Sequence, residues 1–208
     1  MHQTALGLDY LHGLEGNIIH RNIHARNVLV AEIVSGSNTR YVVKLSDFFF
    51  SKSIMNEWDQ QQSNRPFPSG WTAPEIEKQG DNLGPWTDVF ILACFFYYIL
   101  SGGHHPYGKR KAKNVPNRST NIKNKEYCWP KLKNDNKFTL LIKNMTKFAA
   151  EDRTSLSQVL QHFQRDAGYF PLYKGVNKVN KPGLCVIINQ KEFPEMSKVL
   201  LVNMKLKF

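Results

Sequence analysis

One apolar run limits what this chain can fold into. Residues 89–100 (VFILACFFYYIL) are twelve consecutive residues without a charged side chain. A helix that crosses a membrane needs about 20 apolar residues, so this run predicts a helix buried in the core of a folded domain. The chain has 208 residues, of which 41% are hydrophobic, and this is enough apolar material to build such a core.

Cysteine usage indicates a reducing environment. Cys94, Cys128 and Cys185 are far apart in the chain and form no CxxC pair. This pattern argues against a disulfide framework and against a zinc site made of cysteines. The first residues have the pattern of an amphipathic helix rather than of a secretory leader. We therefore expect a cytoplasmic protein, or one on the cytosolic face of a membrane if the chain is part of a longer one.

Apolar periodicity and turn residues predict a mainly helical domain with one hairpin. Helical spacing predicts a helix over 2–14 that ends at Gly16-Asn17. Residues 28–30 and 41–45, which flank a Ser/Gly/Asn turn, predict a β-hairpin. Residues 50–70 are polar and contain two prolines, so they are expected to form a long loop. Further helices are expected at about 73–79, 86–102, 136–148 and 155–164.

The excess positive charge lies in one stretch. Residues 109–147 contain twelve Lys and Arg against two acidic residues, within a net charge of +11 for the whole chain. Such a stretch is either a nucleic-acid-binding surface, because phosphate contacts dominate that kind of binding, or a solvated loop between helices. The sequence leaves both interpretations open.

Three polar motifs occur in order along the predicted loop, strand and helix elements. The first is the segment 20–27 (HRNIHARN), followed by 46–49 (SDFF) and then by 71–75 (WTAPE). Together they resemble the catalytic loop, the metal-binding Asp-Phe-Gly motif and the Ala-Pro-Glu motif of the protein kinases. Residues 1–165 would then be a kinase C-lobe, which is helical with a short β-hairpin at the cleft.

The resemblance extends to residues that hold the kinase fold together. Asp88, which opens the apolar helix, matches the aspartate that supports the catalytic loop, and Arg21 lies in that loop as a structural residue. Arg153 matches the late arginine that pairs with the Ala-Pro-Glu glutamate, here Glu75. The stretches 70–75 and 96–109 resemble the inositol-requiring stress-sensor kinase/endoribonucleases and the related 2-5A-dependent ribonuclease.

The resemblance also assigns a nucleotide and metal site. It implies ATP, and magnesium held by Asn27 and Asp47, since both side chains carry oxygen atoms of the kind that magnesium prefers. Asn22 stands where the family has its catalytic aspartate, and an amide is not a base. His24 replaces the phosphate-contacting lysine, and Phe49 replaces the flexible glycine of the metal motif.

The tail resembles a second family. Residues 181–193 (KPGLCVIINQKEF) are similar to the first strand of a caspase large subunit, although no Arg follows the Pro. The alternative is a generic strand with a turn. We expect a linker over 166–182 and an incomplete caspase-like segment with an isolated β-strand over 183–208, without the catalytic His and Cys of that family.

Three functions follow from these patterns. The first is a degenerate kinase that acts as an interaction or scaffold module in stress or cell-death signalling, with a protein partner or as a homodimer. Because the glycine-rich loop and the strand lysine of the kinase N-lobe are absent from this sequence, ATP and magnesium binding is expected to be weak or absent. The second is a piece of an active Ser/Thr kinase whose N-lobe precedes Met1. The third is an RNA-binding surface at 109–147.

Overall fold

The computed structural model describes residues 1–15, 17–35, 37–54, 70–77, 83–108, 118–127 and 137–165. The predicted linker (166–182) and caspase-like segment (183–208) lie outside the described residues, and so do most of the predicted loop at 50–70 and parts of the basic stretch. Within the described ranges, no helix is both long and apolar enough to pass through a membrane.

The described part of the chain is mainly helical, as expected. Its helices are α1 (His2–His12), α2 (Pro74–Glu77), α3 (Pro85–Leu100), α4 (Arg118–Lys123), α5 (Lys137–Met145) and α6 (Leu156–Arg165). Short 3₁₀ helices cover Phe48–Phe50 and Ala150–Asp152. Five of the six α-helices lie where the periodicity placed them, and α4 is the one that the sequence did not predict.

Helix α1 ends earlier than expected. It stops at His12, and Gly13 follows in a right-handed conformation. The left-handed residue comes later, at Asn17, with a φ of 46°. The helix therefore ends before the predicted stop at Gly16-Asn17, although Asn17 has the left-handed conformation that is common at such stops.

Helix α3 forms the centre of the domain. Every residue from Thr87 to Tyr97 is buried, so this part of the helix has no exposed face. The helix packs against α5 and α6. Its two sides belong to two core clusters, one around Leu92 and Phe96 and the other around Phe90 and Cys94. A helix that is covered on all sides has no need of a polar face, which explains the unbroken apolar run.

Two small antiparallel sheets complete the described fold. Strand β2 (Val28–Ser35) pairs with β3 (Asn38–Leu45) over eight residues each, so the hairpin is longer than the predicted strands at 28–30 and 41–45. Strand β1 (Ile18–Ile19) pairs with β4 (Lys52–Ser53). The segment 20–27 lies between β1 and β2, and Asp47 lies between β3 and β4, so the two sheets bring these segments together.

Candidate active site

The carboxylate of Asp88 supports the segment 20–27 from the N-terminal end of α3. One oxygen accepts the backbone N–H of Arg21 (2.7 Å), and the other accepts the backbone N–H of His20 (2.7 Å). The second oxygen also lies 2.9 Å from Nε2 of His12. Asp88 is fully buried, and a buried carboxylate needs such donors. The three contacts fix the start of the segment against the core.

The backbone of Arg21 adopts a left-handed conformation with a φ of 65°. Its guanidinium Nε donates to the carbonyl oxygen of Phe50, in the 3₁₀ helix that follows Asp47. The segment 20–27 is thus tied at Arg21 both to α3 and to the residues after β3.

Asn22 and Asp47 are in direct contact. The Asn22 side-chain Nδ2 donates to Oδ2 of Asp47 at 2.8 Å, and the residue is only 2% exposed. Its side-chain Oδ1 is buried and has no hydrogen-bond partner among the described residues. An amide nitrogen has no basic lone pair, so at this distance it serves as a donor to the carboxylate and not as a proton acceptor.

Asn27 joins the same cluster. Its Nδ2 donates to the backbone oxygen of Asn22 (2.9 Å) and lies 3.3 Å from Oδ2 of Asp47. Its own backbone oxygen accepts both the N–H (2.9 Å) and the hydroxyl (3.1 Å) of Ser46. Asn27 therefore links the end of the segment 20–27 to the residue that precedes Asp47.

His24 lies at the edge of this cluster. Its Nδ1 accepts the backbone N–H of Arg26 (3.2 Å), and its Nε2 lies 3.2 Å from Nδ2 of Asn27. Burial lowers the pKa of the His24 imidazole, although the negative charge of Asp47 acts in the opposite direction. The ring is therefore neutral at pH 7 and does not supply the fixed positive charge of a lysine.

Phe49 does not obstruct the site. Asp47 itself carries the left-handed backbone conformation, with a φ of 62°, whereas Phe49 lies in the following 3₁₀ helix without a positive φ. Its side chain is 57% exposed and contacts the edge of Phe50. The sequence predicted that Phe49 replaces a flexible glycine of the metal motif. In the structure its side chain is largely exposed to solvent, and the backbone at this position does not need the positive φ that glycine allows.

Glu75 and Arg153 form a bidentate ion pair. The two guanidinium nitrogens of Arg153 donate to the two carboxylate oxygens at 2.7 and 2.8 Å. The guanidinium also donates to the backbone oxygens of three residues in the surrounding loops and helix: Trp86, Lys147 and Phe148. Thr87 donates its hydroxyl to Glu75 (2.9 Å). This network connects α2, α3 and the segment before α6.

Sequence reasoning missed a cluster of rings beside the site. Trp71 lies 4.6 Å from His105 and 5.8 Å from His24, measured between ring centroids. Its other neighbours are Tyr98 and the guanidinium of Arg118. His105 is buried, and burial together with Arg118 lowers its pKa well below the ordinary value. These residues are distant in sequence, so only the fold brings them together.

Comparisons with known proteins agree with this geometry. A family model described as protein tyrosine and serine/threonine kinase matches residues 1–163. This chain belongs to the protein kinase family. The kinase motifs recognised in the sequence thus lie within a kinase domain, and the observed helices and hairpin are those of its C-lobe.

Relatives of the stress-sensor branch are similar over most of this kinase chain. The serine/threonine-protein kinase/endoribonuclease ire-1 of Caenorhabditis elegans is 32% identical and covers 78% of this chain but 16% of its own length. The sensor for unfolded proteins in the ER ire1 of Schizosaccharomyces pombe is 30% identical, and the alignment covers 78% of this chain and 17% of that protein. The human serine/threonine-protein kinase/endoribonuclease IRE2 is 36% identical, and the alignment covers 52% of this chain and 12% of that protein. The chain therefore spans a small part of the length of these relatives.

The kinase family generally uses ATP and magnesium, and a divalent cation in this cluster would need oxygen ligands. The residue types are suitable, because Asp47 and Asn27 carry oxygen atoms. The arrangement is not, because two amide N–H groups, from Asn22 and Asn27, face Oδ2 of Asp47. Within the described ranges, no group of three or more His, Cys, Asp or Glu residues is placed to hold a metal ion. As arranged, Oδ2 of Asp47 faces amide N–H groups rather than an open position for a cation.

The basic stretch is described only in part. Residues 109–117 and 128–136 lie outside the described residues, and the described portion contains α4 and α5. The RNA-binding surface at 109–147 therefore stays a prediction.

Proposed function

We propose that this kinase-family chain is a pseudokinase that acts as an interaction or scaffold module rather than as a phosphotransferase. The observation that carries the proposal is the contact between Asn22 and Asp47 at 2.8 Å. Kinase chemistry needs a carboxylate at the position of Asn22 to accept the proton of the substrate hydroxyl. Here the position holds an amide whose N–H is already donated to the metal-motif carboxylate.

The neighbouring position supports the same proposal. Phosphoryl transfer depends on positive charge placed around the transferred group. His24 stands at the position of the phosphate-contacting lysine, and burial lowers its pKa, so it brings no positive charge at pH 7. Two of the groups that the chemistry requires are therefore replaced by neutral ones in the same loop.

The scaffold residues support a folded, binding role. The Glu75–Arg153 pair and the Asp88 contacts are complete, so the domain is held together although the catalytic groups are replaced. A protein that keeps its fold without its chemistry still presents its surface to other molecules. Similarity to the stress-sensor kinases makes a role in stress signalling the proposal for that surface.

One surface is suited to a protein partner. Three large apolar side chains are exposed on the same face of the hairpin: Val30 (43%), Val34 (65%) and Tyr41 (58%). They share a face because Val30 and Val34 are four residues apart on β2 and Tyr41 pairs with Glu32, which lies between them. Exposed apolar clusters of this kind mark interaction sites. A second copy is the occupant that we test first, because two copies can bury the same face at once.

The test of catalysis uses the full chain with radiolabelled ATP, magnesium and a generic protein substrate. We expect no transfer of phosphate above that of Asp47→Ala, which removes the metal-motif carboxylate. Transfer that is abolished in Asp47→Ala would refute the pseudokinase proposal and establish the alternative, an active Ser/Thr kinase with an unusual base.

The test of association uses sedimentation velocity over a range of protein concentrations. We expect a dimer that Val34→Lys converts to a monomer, since a buried lysine without a partner is costly. If the parent protein stays monomeric over this concentration range, the homodimer proposal is wrong. The same Val34→Lys variant then serves as the negative control in a search for another protein partner.

A further inference from the structure

The hydrogen bonds around Asp47 show how its carboxylate is held. Oδ2 is approached by two amide nitrogens, Nδ2 of Asn22 at 2.8 Å and Nδ2 of Asn27 at 3.3 Å. The opposite orientation of the Asn22 amide would place its oxygen against a carboxylate oxygen, which is repulsive. The N–H orientation is thus the stable one when no cation is present. Oδ1 of Asp47 accepts no hydrogen bond from the described residues.

The second observation concerns the other end of the same amide. Oδ1 of Asn22 is buried and accepts no hydrogen bond from any residue that the structure describes. A buried acceptor without a partner is unfavourable. An orientation of the Asn22 side chain that gave Oδ1 a hydrogen-bond donor would avoid this cost. The side chain therefore leaves its oxygen unsatisfied while its N–H stays on Asp47.

The third observation is the backbone of Asp47. Its φ of 62° places it in the left-handed region, which Asp adopts more readily than most residues because its short side chain can hydrogen-bond locally. Hydrogen-bond donors or a metal ion at the carboxylate would stabilise this conformation. In this chain, the described contacts that hold the side chain are the two amides of Asn22 and Asn27.

We propose that Asn22 takes the place of a divalent cation. Its N–H holds the Asp47 carboxylate in position, so the site keeps its shape without metal and disfavours metal binding. Asn22 is therefore a positioning residue for the Asp47 carboxylate. We call the hydrogen bond between Asn22 and Asp47 the lock. The proposal deepens the pseudokinase proposal and rests on the same site, but it makes a separate claim about cation affinity.

The experiment measures binding of Mn²⁺ alone to the full chain, from the loss of the electron paramagnetic resonance signal of the free ion. The parent is expected to bind Mn²⁺ no more tightly than Asp47→Ala does. Asn22→Asp places two carboxylates side by side, and additional charged oxygen ligands raise cation affinity, so this variant is expected to bind about tenfold more tightly or better.

A matched control separates this effect from that of added charge in general. Asn144→Asp introduces the same change on a half-buried residue of α5, outside the site. It is expected to bind Mn²⁺ like the parent. A melting curve for each protein, with and without Mn²⁺, provides a second measurement: the cation should raise the melting temperature of Asn22→Asp and leave that of the parent and of Asn144→Asp unchanged.

Two results would overturn the proposal. The first is a parent that binds Mn²⁺ clearly more tightly than Asp47→Ala, because the lock would then not exclude the cation. The second is a folded Asn22→Asp whose affinity equals that of the parent. If Asn22→Asp does not fold, Asn22→Ser replaces it. The shorter hydroxyl side chain removes the amide without adding charge, and the freed Oδ2 should bind Mn²⁺ more tightly than the parent does.

The two proposals fail in distinguishable ways. Mn²⁺ binding by the parent together with an absence of phosphate transfer would refute the lock and leave the pseudokinase proposal standing. Phosphate transfer by the parent would refute the pseudokinase proposal whatever its affinity for Mn²⁺.

Discussion

The ion-pair scaffold and the catalytic loop of this kinase domain differ in what they retain. In the scaffold, Arg153 meets both oxygens of Glu75, and Asp88 accepts two backbone N–H groups. In the loop, the resemblance to kinases predicts that Asn22 and His24 stand at the positions of the base and of the phosphate-contacting lysine. The bonds that hold the fold are present, whereas the replacement of the catalytic groups stays a proposal, because membership of a family by fold is not a statement of activity.

The largest effect should come from breaking the scaffold at Arg153. Its side chain is 1% exposed and that of Glu75 is 13% exposed, and removal of one partner of a buried pair leaves the other charge uncompensated. Arg153→Met should therefore lower the free energy of unfolding by about 3–5 kcal/mol. Urea unfolding followed by circular dichroism measures this loss, and Lys143→Met, on an exposed position of α5, should change it by less than about 0.5 kcal/mol.

A double variant tests why this loss occurs. Glu75→Leu combined with Arg153→Met removes both charges, and such replacements often restore stability. Here the recovery should be only partial, because the arginine also donates to the backbone oxygens of Trp86, Lys147 and Phe148. Full recovery would mean that the ion pair alone accounts for the contribution of Arg153.

The second effect lies where the scaffold meets the loop. Asp88→Asn keeps the size of the side chain but replaces one carboxylate oxygen with an NH₂ group. That NH₂ group then faces another N–H donor, either that of Arg21 or those of His20 and His12. Loss of hydrogen bonds to a buried charged group should cost about 2–3 kcal/mol. Hydrogen exchange should accelerate at the amides of residues 20–22, and Asp152→Asn at an exposed position should leave both measurements unchanged. An equal rate of exchange in Asp88→Asn would show that the loop is held by other contacts.

The third effect is a dependence of stability on pH. Burial lowers the pKa of His105 in the ring cluster and of His20 in the loop, so the unfolded chain binds protons near pH 6.5 that the folded chain does not. Stability should therefore be constant above about pH 6.5 and fall as the pH decreases below it, by about 1.4 kcal/mol per pH unit for each such histidine.

His105→Asn assigns part of this slope. The Asn oxygen can accept the backbone N–H of Tyr107 as Nδ1 of His105 does at 3.2 Å, but it does not titrate. Urea unfolding between pH 7.5 and 5.5 should show a slope smaller by about 1 kcal/mol per pH unit, and the difference at pH 7.5 gives the cost of the substitution itself. An unchanged slope would mean that His105 takes up its proton without loss of the fold.

The fold followed from the sequence where one physical pattern dominated. The run at 89–100 has no polar face, so a helix covered on all sides was the one way to bury it, and the structure has α3 there. Helix α4 was missed because its sequence, RSTNIK, has no apolar periodicity. Its position is set by tertiary contacts, such as the donation from Asn121 Nδ2 to the backbone oxygen of Tyr107 at 2.9 Å.

The structure brings the predicted site residues together through contacts that the sequence does not indicate. Motif order identified Asn22, Asn27 and Asp47, yet nothing in the sequence indicates that the Asn22 amide donates to a residue 25 positions away. The contact between Trp71 and His105 is likewise a consequence of the fold. Phe49 was expected to change the metal motif, because the sequence does not reveal that Asp47 carries the left-handed conformation.

Phe49 gives the smallest expected effect and the sharpest test of the comparison. If Phe49 itself blocked cation binding at the metal motif, Phe49→Gly should raise the affinity for Mn²⁺. Because the side chain is 57% exposed and the backbone has no positive φ there, we expect instead a loss of about 0.5–1 kcal/mol, due to the added backbone freedom of glycine. Urea unfolding measures this loss, and Mn²⁺ binding should stay as weak as in the parent. A gain in cation affinity would show that Phe49, and not the Asn22–Asp47 contact alone, closes the site.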